Sequence, residues 1–427
     1  MTDAPQRRNT LRIISVVPSA SVLFSLGLSN LRNAHSQGAT AFELAWGGLG
    51  YSLAANEVPK QFPITIASLD KIGGLTTVVK ELIAVLGKTY LGGKGSVKDV
   101  FQALDAGESL IFCVAFDYEQ LITTPGVDDD KLEDNESFVY CQAQVLYIDP
   151  GADPSSGDIK VLYSFPFRVQ YNFRSRVGDD SDRLTKFSKN FIDNEKSLTK
   201  IFSSQVASKA FKEKRFPKSL RVTNVAFTPE FNSTLDFLKI RSSFPAEFVA
   251  NCFSTSLAEE GGLSVIPFRA NQLIGETLAK RFKQDSKIFK LVSTMGGLSN
   301  LDYSIQIEMH RMVRRVSGEN QANVRIARGM SCFISLADVQ NKNEITRLKL
   351  SYVTDIVIDR ISFTKSLQSF DLRYMIQMVI AMFDDFVRLA IKNDNSKAET
   401  LGLKKGEFEK ELVKFRNVFL SCVYRDA

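Results

Sequence analysis

The sequence predicts a mixed α/β (α+β) protein built from two related modules in tandem, each with the order β-α-β-α-β-β-β-α and a mostly antiparallel three-stranded meander. The chain has 427 residues, which exceeds the length at which one hydrophobic core usually stops growing. Long runs of alternating apolar and polar residues follow one another in each half, as expected for meanders of strands. The run LRVTNVAFTP at Leu220 also repeats the form of LRIISVVPS at Leu11.

These observations define the predicted domains. The first module occupies residues 1–211, a basic linker 212–219, the second module 220–395 and a C-terminal amphipathic helix 396–427. The linker lies in the stretch KAFKEKRFPKS, which forms the predicted joint between the two modules.

The first module is predicted to open with a core strand at 11–18, followed by a glycine-rich loop with Gly47, Gly48 and Gly50. The later predicted elements are a strand PITIASL from Pro63, a helix TTVVKELIAVLG from Thr76, a helix SVKDVFQALDAG from Ser96, strands at 108–118, 137–149 and 158–173, and a helix at 182–211. The segment VDDDKLEDNE at 127–136 carries six acidic residues between two of these strands. It lacks the spacing of a calcium loop and predicts a solvated hairpin loop.

The second module is predicted to begin with a strand at 220–227 that Pro229 stops. Pro245 opens a helix, and Gly261 and Gly262 end it. The remaining predicted elements are a short buried strand at 263–268, a helix NQLIGETLAKRF capped by Asn271, strands at 303–316, 323–338 and 344–359 joined by turns at Ser317 and Gln340, and a helix from Phe370.

The C-terminal helix, from Leu403, places four apolar side chains on one stripe: Phe408, Leu412, Phe415 and Phe419. This stripe either packs back on the second module or docks on a neighbouring subunit. Met375, Met378 and Met382 follow helical spacing in the preceding helix and are predicted to pack in the core. The adjacent carboxylates Asp384/Asp385 and Glu259/Glu260 are predicted on helix surfaces or ends, where neighbours point about 100° apart and form no shared acid/base site.

Composition argues against several kinds of catalysis. The sequence has two histidines, so we do not expect a Ser-His-Asp site or a His-rich metal site. The phosphate-loop-like triplet Gly87-Lys88-Thr89 has Leu82 where the motif requires glycine. No cofactor and no metal site is therefore predicted.

Localisation rests on cysteine usage and on the N-terminus. The five cysteines are scattered through apolar contexts, which is typical of buried thiols in a reducing compartment. Arg7, Arg8 and Arg12 precede an apolar run and imitate a secretory signal, but Pro18 interrupts that run and no small-residue cleavage site follows. We expect a cytoplasmic protein without a membrane-spanning segment. The periplasm or the cell envelope is the alternative, and the N-terminal run is either a core strand or a targeting signal.

The strongest candidate site is an arginine cluster around the turn at Ser317, formed by Arg311, Arg314, Arg315, Arg325 and Arg328. Antiparallel pairing about this turn is expected to bring Arg315 close to Arg325, and facing like charges cost stability unless an anion intervenes. The cluster therefore predicts binding of phosphate groups or of an acidic protein. A solvated strand face balanced by nearby carboxylates is the alternative. Nucleic acid is not expected, because exposed aromatic side chains are not interleaved with the arginines.

The strand LRVTNVAFTP, the segment PAEFVANCFSTSLAEEGGLSVIPF and the phrase CFISLADVQNKNEI together resemble a group of bacterial envelope assembly modules. The group is typified by the curli secretion channel lipoprotein, the penicillin-binding-protein activator lipoproteins and the flagellar T-ring protein. The resemblance covers about 220–390 and, more faintly, 11–211. It implies a binding or ring-forming component and carries over no catalytic residues. A lipid-accepting cysteine near the start, which the lipoproteins of the group have, is missing.

We therefore predict a non-enzymatic structural or assembly protein that self-associates within a bacterial multi-subunit complex, with copies of itself and other protein subunits as partners. The alternative is a binding module for an anion or an acidic partner, using the arginine-rich hairpin. An enzyme of unrecognised type, with Asp, Glu, Lys or Tyr chemistry, is a third possibility.

Overall fold

The computed structural model describes residues 44–51, 58–71, 97–99, 110–125, 134–153, 158–176, 179–193, 218–240, 244–268, 301–404 and 408–423, together with positions 80, 84, 200 and 406. The described strands are β1 (Leu44–Tyr51), β2 (Val97–Asp99), β3 (Leu110–Pro125), β4 (Asp134–Asp153), β5 (Asp158–Arg176), β6 (Leu220–Phe227), β7 (Tyr303–Glu319), β8 (Asn323–Asp338) and β9 (Asn343–Asp359). The described helices are α1 (Val58–Gln61), α2 (Pro63–Lys71), α3 (Asp180–Asp193), α4 (Pro229–Phe237), α5 (Ala246–Gly261), α6 (Arg360–Lys392), α7 (Lys397–Thr400) and α8 (Glu409–Cys422).

The strands form two sheets, and the protein is mixed α/β as predicted. The first sheet has the order β2-β1-β3-β4-β5 and the second the order β6-β7-β8-β9. In each sheet the opening strand, β1 or β6, runs parallel to the first strand of an antiparallel meander. The predicted meanders of both modules are confirmed, because their period-two alternation fits strands that bury one face or both.

Corresponding strands of the two sheets also carry bulges at the same places. The fourth residue of the opening strand is skipped in the pairing, Gly47 in β1 and Thr223 in β6. The eighth residue of the next meander strand is skipped as well, Asp117 in β3 and His310 in β7. A bulge bends a strand and turns the following side chains to the other face.

Helices α5 and α6 lie between the two sheets. α5 contacts β5 and β6, and α6 contacts β3, β8 and β9. One hydrophobic core therefore includes Tyr118 and Phe138 of the first sheet together with Ile305 of the second. The other face of the first sheet packs against α2 and α3. Residues Glu43–Ala427 form one compact unit, and the predicted boundaries within it stay a prediction.

Prolines mark the starts of α4 and α5, and a glycine marks the end of α5. Pro245 precedes the first turn of α5, where the missing N–H costs nothing. Gly262 ends α5 with a φ of 68°, a left-handed conformation that glycine adopts without strain. Pro229 begins α4, and the Thr228 hydroxyl accepts a hydrogen bond from the Phe231 N–H.

The C-terminal helix packs back onto the second module. Phe408, Leu412, Phe415 and Phe419 are all buried in the shared core, and Phe415 meets Phe386 of α6 edge to face. The core positions predicted for Met375, Met378 and Met382 are confirmed as well. None of the described helices combines the length and apolar content needed to cross a bilayer.

Several predicted elements are wrong. The glycine-rich stretch at Leu44–Tyr51 is a strand, Pro63–Lys71 is a helix, and Val97–Asp99 is a strand. The predicted strand at 263–268 makes two isolated bridges, from Leu263 to Val423 and from Ile266 to Arg221.

The boundaries of other elements moved, or fall outside the described residues. The helix predicted from Phe370 begins at Arg360, and Pro229 starts a helix that was not predicted. The predicted strand at 11–18 and the helix at 271–282 lie outside the described residues, as do most of the helix from Thr76 and of the linker.

Candidate interaction surface

The second sheet has an inner face, which packs on the helices, and an outer face. Side chains alternate between the faces along each strand. The outward rows across β7, β8 and β9 are Gln306/Ser335/Arg347, Glu308/Phe333/Lys349, Arg311/Ser331/Ser351, Val313/Gly329/Val353, Arg315/Ala327/Asp355 and Gly318/Arg325/Val357. We refer to these eighteen residues as the outer face.

Valines form the centre and one end of the outer face. Val313, Val353 and Val357 are 43 %, 70 % and 63 % exposed. A Cβ atom added to Gly329 would lie 3.1 Å from Val313 Cγ2 and 3.7 Å from Val353 Cγ2, so the two valines close over the glycine between them. Val313 and Val353 are contiguous, and Val357 lies two rows away, beyond the row of Asp355. Exposed apolar side chains among polar ones are typical of interaction sites.

Charged groups surround the valines. The outer face has five cationic side chains, from Arg311, Arg315, Arg325, Arg347 and Lys349. The two carboxylates, Glu308 and Asp355, leave an excess of three positive charges.

Some of these charges are already engaged within the face. Arg325 pairs with Asp355 at 2.6 Å and Arg347 with Glu308 at 3.4 Å. The Arg347 guanidinium also lies 4.5 Å from the centre of the Phe333 ring. Arg315 makes no ion pair with any carboxylate of the described residues.

Two arginines of the predicted cluster point to the inner side. Arg314 and Arg328 face each other across β7 and β8. Both pair with Asp371 of α6, Arg328 through its Nε at 2.9 Å and its Nη2 at 2.6 Å. Arg328 and Asp371 are 3 % and 1 % exposed. Each guanidinium also stacks on an aromatic ring, Arg314 on Phe237 and Arg328 on Tyr374.

The five arginines therefore do not form one cluster. Arg311, Arg315 and Arg325 lie on the outer face, and anion binding by them stays a prediction. Arg315 and Arg325 do not face each other as expected, because Arg315 lies opposite Ala327 and a bulge at Ser317 sets Arg325 opposite Gly318. The two arginines are diagonal neighbours in adjacent rows of the outer face. The facing pair is Arg314/Arg328, and the acid that compensates it, Asp371, belongs to the same chain.

A second charged network, not predicted, joins the modules. Arg168 of β5 pairs with Asp384 of α6 at 2.7 Å and with Glu259 of α5 at 3.0 Å. The Ser256 hydroxyl donates to Asp384 at 2.6 Å. Burial alone would lower the pKa of Arg168, but the two carboxylates outweigh burial and raise it.

The adjacent carboxylates share no site, as predicted, but their placement differs from the expectation. Asp384 was expected on a solvent-facing helix surface, but its carboxylate faces β5 and pairs with Arg168. Asp385 pairs with Lys397, and Glu260 with Arg388 and Lys392. Apart from Asp384 and Glu259, which share Arg168, each carboxylate has its own partner and a structural role.

Other buried groups are also engaged or have suppressed reactivity. Glu119 of β3 accepts hydrogen bonds from the Ile64 and Thr65 N–H groups at the start of α2, while burial raises its pKa. All five cysteines are free and buried, and burial raises the pKa of Cys113 and Cys252 to about 12. A thiol with a raised pKa is a poor nucleophile at neutral pH. In the part of the chain that is described, no group of three or more His, Cys, Asp or Glu side chains is arranged to hold a metal ion.

Comparison with known proteins adds little. No protein-family model matches the sequence, and no curated protein matches it significantly. Among solved structures, the chain is similar to lipoprotein GNA1162 from Neisseria meningitidis, with 14 % identity and a TM-score of 0.17 over 39 % of this chain and 99 % of the other. A similarity at this level supports no inference about function.

Proposed function

We propose that this protein is a non-enzymatic structural component that associates with copies of itself, and with other protein subunits, in a bacterial multi-subunit complex. The observation that carries the proposal is the outer face of the second sheet, where three valines lie exposed among charged side chains. Three strands of 16 or 17 residues provide an extended surface for this purpose. The engaged carboxylates and the buried thiols support a structural role over a catalytic one.

We further propose that the two modules are structural copies of one another. The support is the shared position of the bulges, at the fourth residue of β1 and β6 and at the eighth residue of β3 and β7. Bulges are typically retained within families, because they re-aim the side chains that follow them. In this view β1, not the segment at 11–18, is the counterpart of β6.

The test of self-association is the native mass of the full-length protein by light scattering over a concentration series. We expect a mass that is a multiple of the 47.7 kDa of one chain. Val353→Asp should lower the mass, because it places a charge in the valine centre. The matched control is Val413→Asp on α8, at a valine that is 48 % exposed and does not belong to the outer face. A monomer at every concentration, or equal effects of the two variants, would contradict the proposal.

Binding of an anion or an acidic partner is the second candidate, and Arg311, Arg315 and Arg325 on the outer face favour it. Arg314 and Arg328 contribute only indirectly, since both are committed to Asp371. Arg311→Glu with Arg315→Glu is therefore the informative change. This candidate would be favoured if the wild type binds polyphosphate, the variant does not, and the native mass of the two proteins is the same.

A further inference from the structure

Resting on the self-association proposed above, we propose that the outer face of one copy binds the acidic β3–β4 segment of a second copy. The occupant is residues 127–136 of the neighbouring chain, VDDDKLEDNE, which carries six carboxylates and one lysine. Its last three residues, from Asp134, belong to β4, and residues 127–133 lie outside the described part of the chain. The receiving surface has an excess of three positive charges around the exposed valines. Opposite charges on two different patches of one chain generate a head-to-tail contact.

The mixed character of the outer face favours a protein segment over nucleic acid. Glu308 and Asp355 lie within the face and would repel a phosphate backbone. Val353 lies between their rows and offers apolar area that phosphate groups do not use. A peptide segment with both carboxylates and apolar atoms, such as Val127 and Leu132, matches both properties.

Glu136, the last residue of the acidic segment, lies on the inner side of the second sheet. At the base of the β3–β4 hairpin, Glu136 pairs with Arg373 of α6 at 3.2 Å. α6 packs on the inner face of the second sheet, as the contact of Asp371 with Arg328 shows. The outer face lies on the opposite side of that sheet from Glu136, so we take the occupant from another chain.

The size of the outer face predicts a weak individual contact. From the row of Arg347 to the row of Val357 the sheet runs ten residues, roughly 33 Å, and three strands are roughly 14 Å wide. The product is on the order of 450 Å² per partner, compared with about 800 Å² per partner in a standard interface. Assembly should therefore depend on protein concentration and fall steeply with salt.

Head-to-tail contacts have a defined consequence for assembly. Because the two patches differ, each copy offers one free patch after binding, and the assembly grows until it closes into a ring or extends as a filament. Blocking either patch should stop growth.

The test is a charge exchange measured by light scattering and sedimentation of the full chain. Arg315→Glu with Lys349→Glu reverses two cations of the outer face, and Asp128→Lys, Asp129→Lys and Asp130→Lys reverse the segment. Glu136 is left unchanged because it pairs with Arg373. Each variant alone should associate roughly tenfold more weakly or worse than the wild type. An equal mixture of the two variants should associate again, because each then meets an opposite charge.

The control matched to the outer-face variant is Lys404→Glu with Lys410→Glu. It changes the net charge by the same amount as that variant, at exposed positions outside the outer face. This control should assemble as the wild type does.

If the segment variant assembles normally while the outer-face variant does not, the segment is not the occupant and only this inference fails. If both assemble normally, or if the wild type stays monomeric, the inference falls together with the proposed use of the outer face. A third outcome would assign the outer face to nucleic acid instead. In that case the wild type and the segment variant bind duplex DNA, the outer-face variant does not, and the mixture of the two variants does not associate.

Discussion

Replacing Asp371 of α6 should destabilise the protein more than replacing any exposed carboxylate of the second sheet. Asp371→Ala leaves Arg328, which is 3 % exposed, with a charge and no carboxylate. Arg314 loses the same partner, but its side chain is 22 % exposed and reaches water. Breaking a buried ion pair by removing one partner costs about 3 to 5 kcal/mol. Because one of the two arginines reaches water, we expect about 3 kcal/mol, the lower end of that range.

The control is Asp355→Ala on β9. Asp355 also accepts an ion pair from an arginine of β8, Arg325, but the two side chains are 36 % and 61 % exposed. Exposed pairs of this kind contribute about 0 to 1 kcal/mol. Both changes remove one aspartate, so they have the same effect on net charge and differ mainly in burial.

Urea unfolding, followed by circular dichroism, measures both variants. Asp371→Ala should lower the midpoint several times more than Asp355→Ala does. The double change Asp371→Leu with Arg328→Met should regain most of the loss, because apolar groups of similar volume replace a buried ion pair at little cost. Equal midpoints for the two alanine variants would refute the argument that this network stabilises the fold by burial.

Two further predictions follow from other buried or paired groups. Hydrogen bonds and ion pairs from Arg388 and Lys392 hold the pKa of Glu260 at about 2, so its stabilisation is present above its usual pKa near 4.5 and is lost as the pH falls toward 2. The melting temperature of Glu260→Gln should therefore depend less on pH in this interval than that of the wild type, and parallel curves would contradict this. Burial raises the pKa of the Cys113 and Cys252 thiols to about 12, and all five cysteines are buried. A thiol reagent should detect almost no thiol in the native protein and five after denaturation, and fast labelling of the native chain would be inconsistent with this burial.

The elements that the sequence predicted well are those in which local pattern and burial agree. The strands β7, β8 and β9 alternate between a core face and an outer face, so a period of two is visible in the letters. Helix α5 begins after Pro245 and ends at Gly262, and both signals are local.

The elements that the sequence did not predict depend on distant partners, or on a local signal that has two meanings. PITIASL has the β-branched residues of a strand, yet it forms α2 because the Glu119 carboxylate, 55 residues away, accepts the Ile64 N–H at the helix start. The glycines of β1 favour a loop by sequence, but β1 is a strand in which one of them, Gly47, forms a bulge. Pro229 is a signal that ends a strand, but Thr228 followed by proline is also a signal that starts a helix.

The division of the arginines could have been predicted, because it follows from counting along a strand. Residues an odd number apart in a regular strand point to opposite faces, so Arg325 and Arg328 belong to different faces of β8. The same rule separates Arg314 from Arg311 and Arg315 on β7, since the bulge at His310 lies before all three. What the count could not supply is the acid of the inner pair, because Asp371 lies 43 residues from Arg328 on a helix that crosses the sheet. The period of the strand therefore separates the arginines that pair with Asp371 from those of the outer face, and only the folded chain identifies the partner of Arg314 and Arg328.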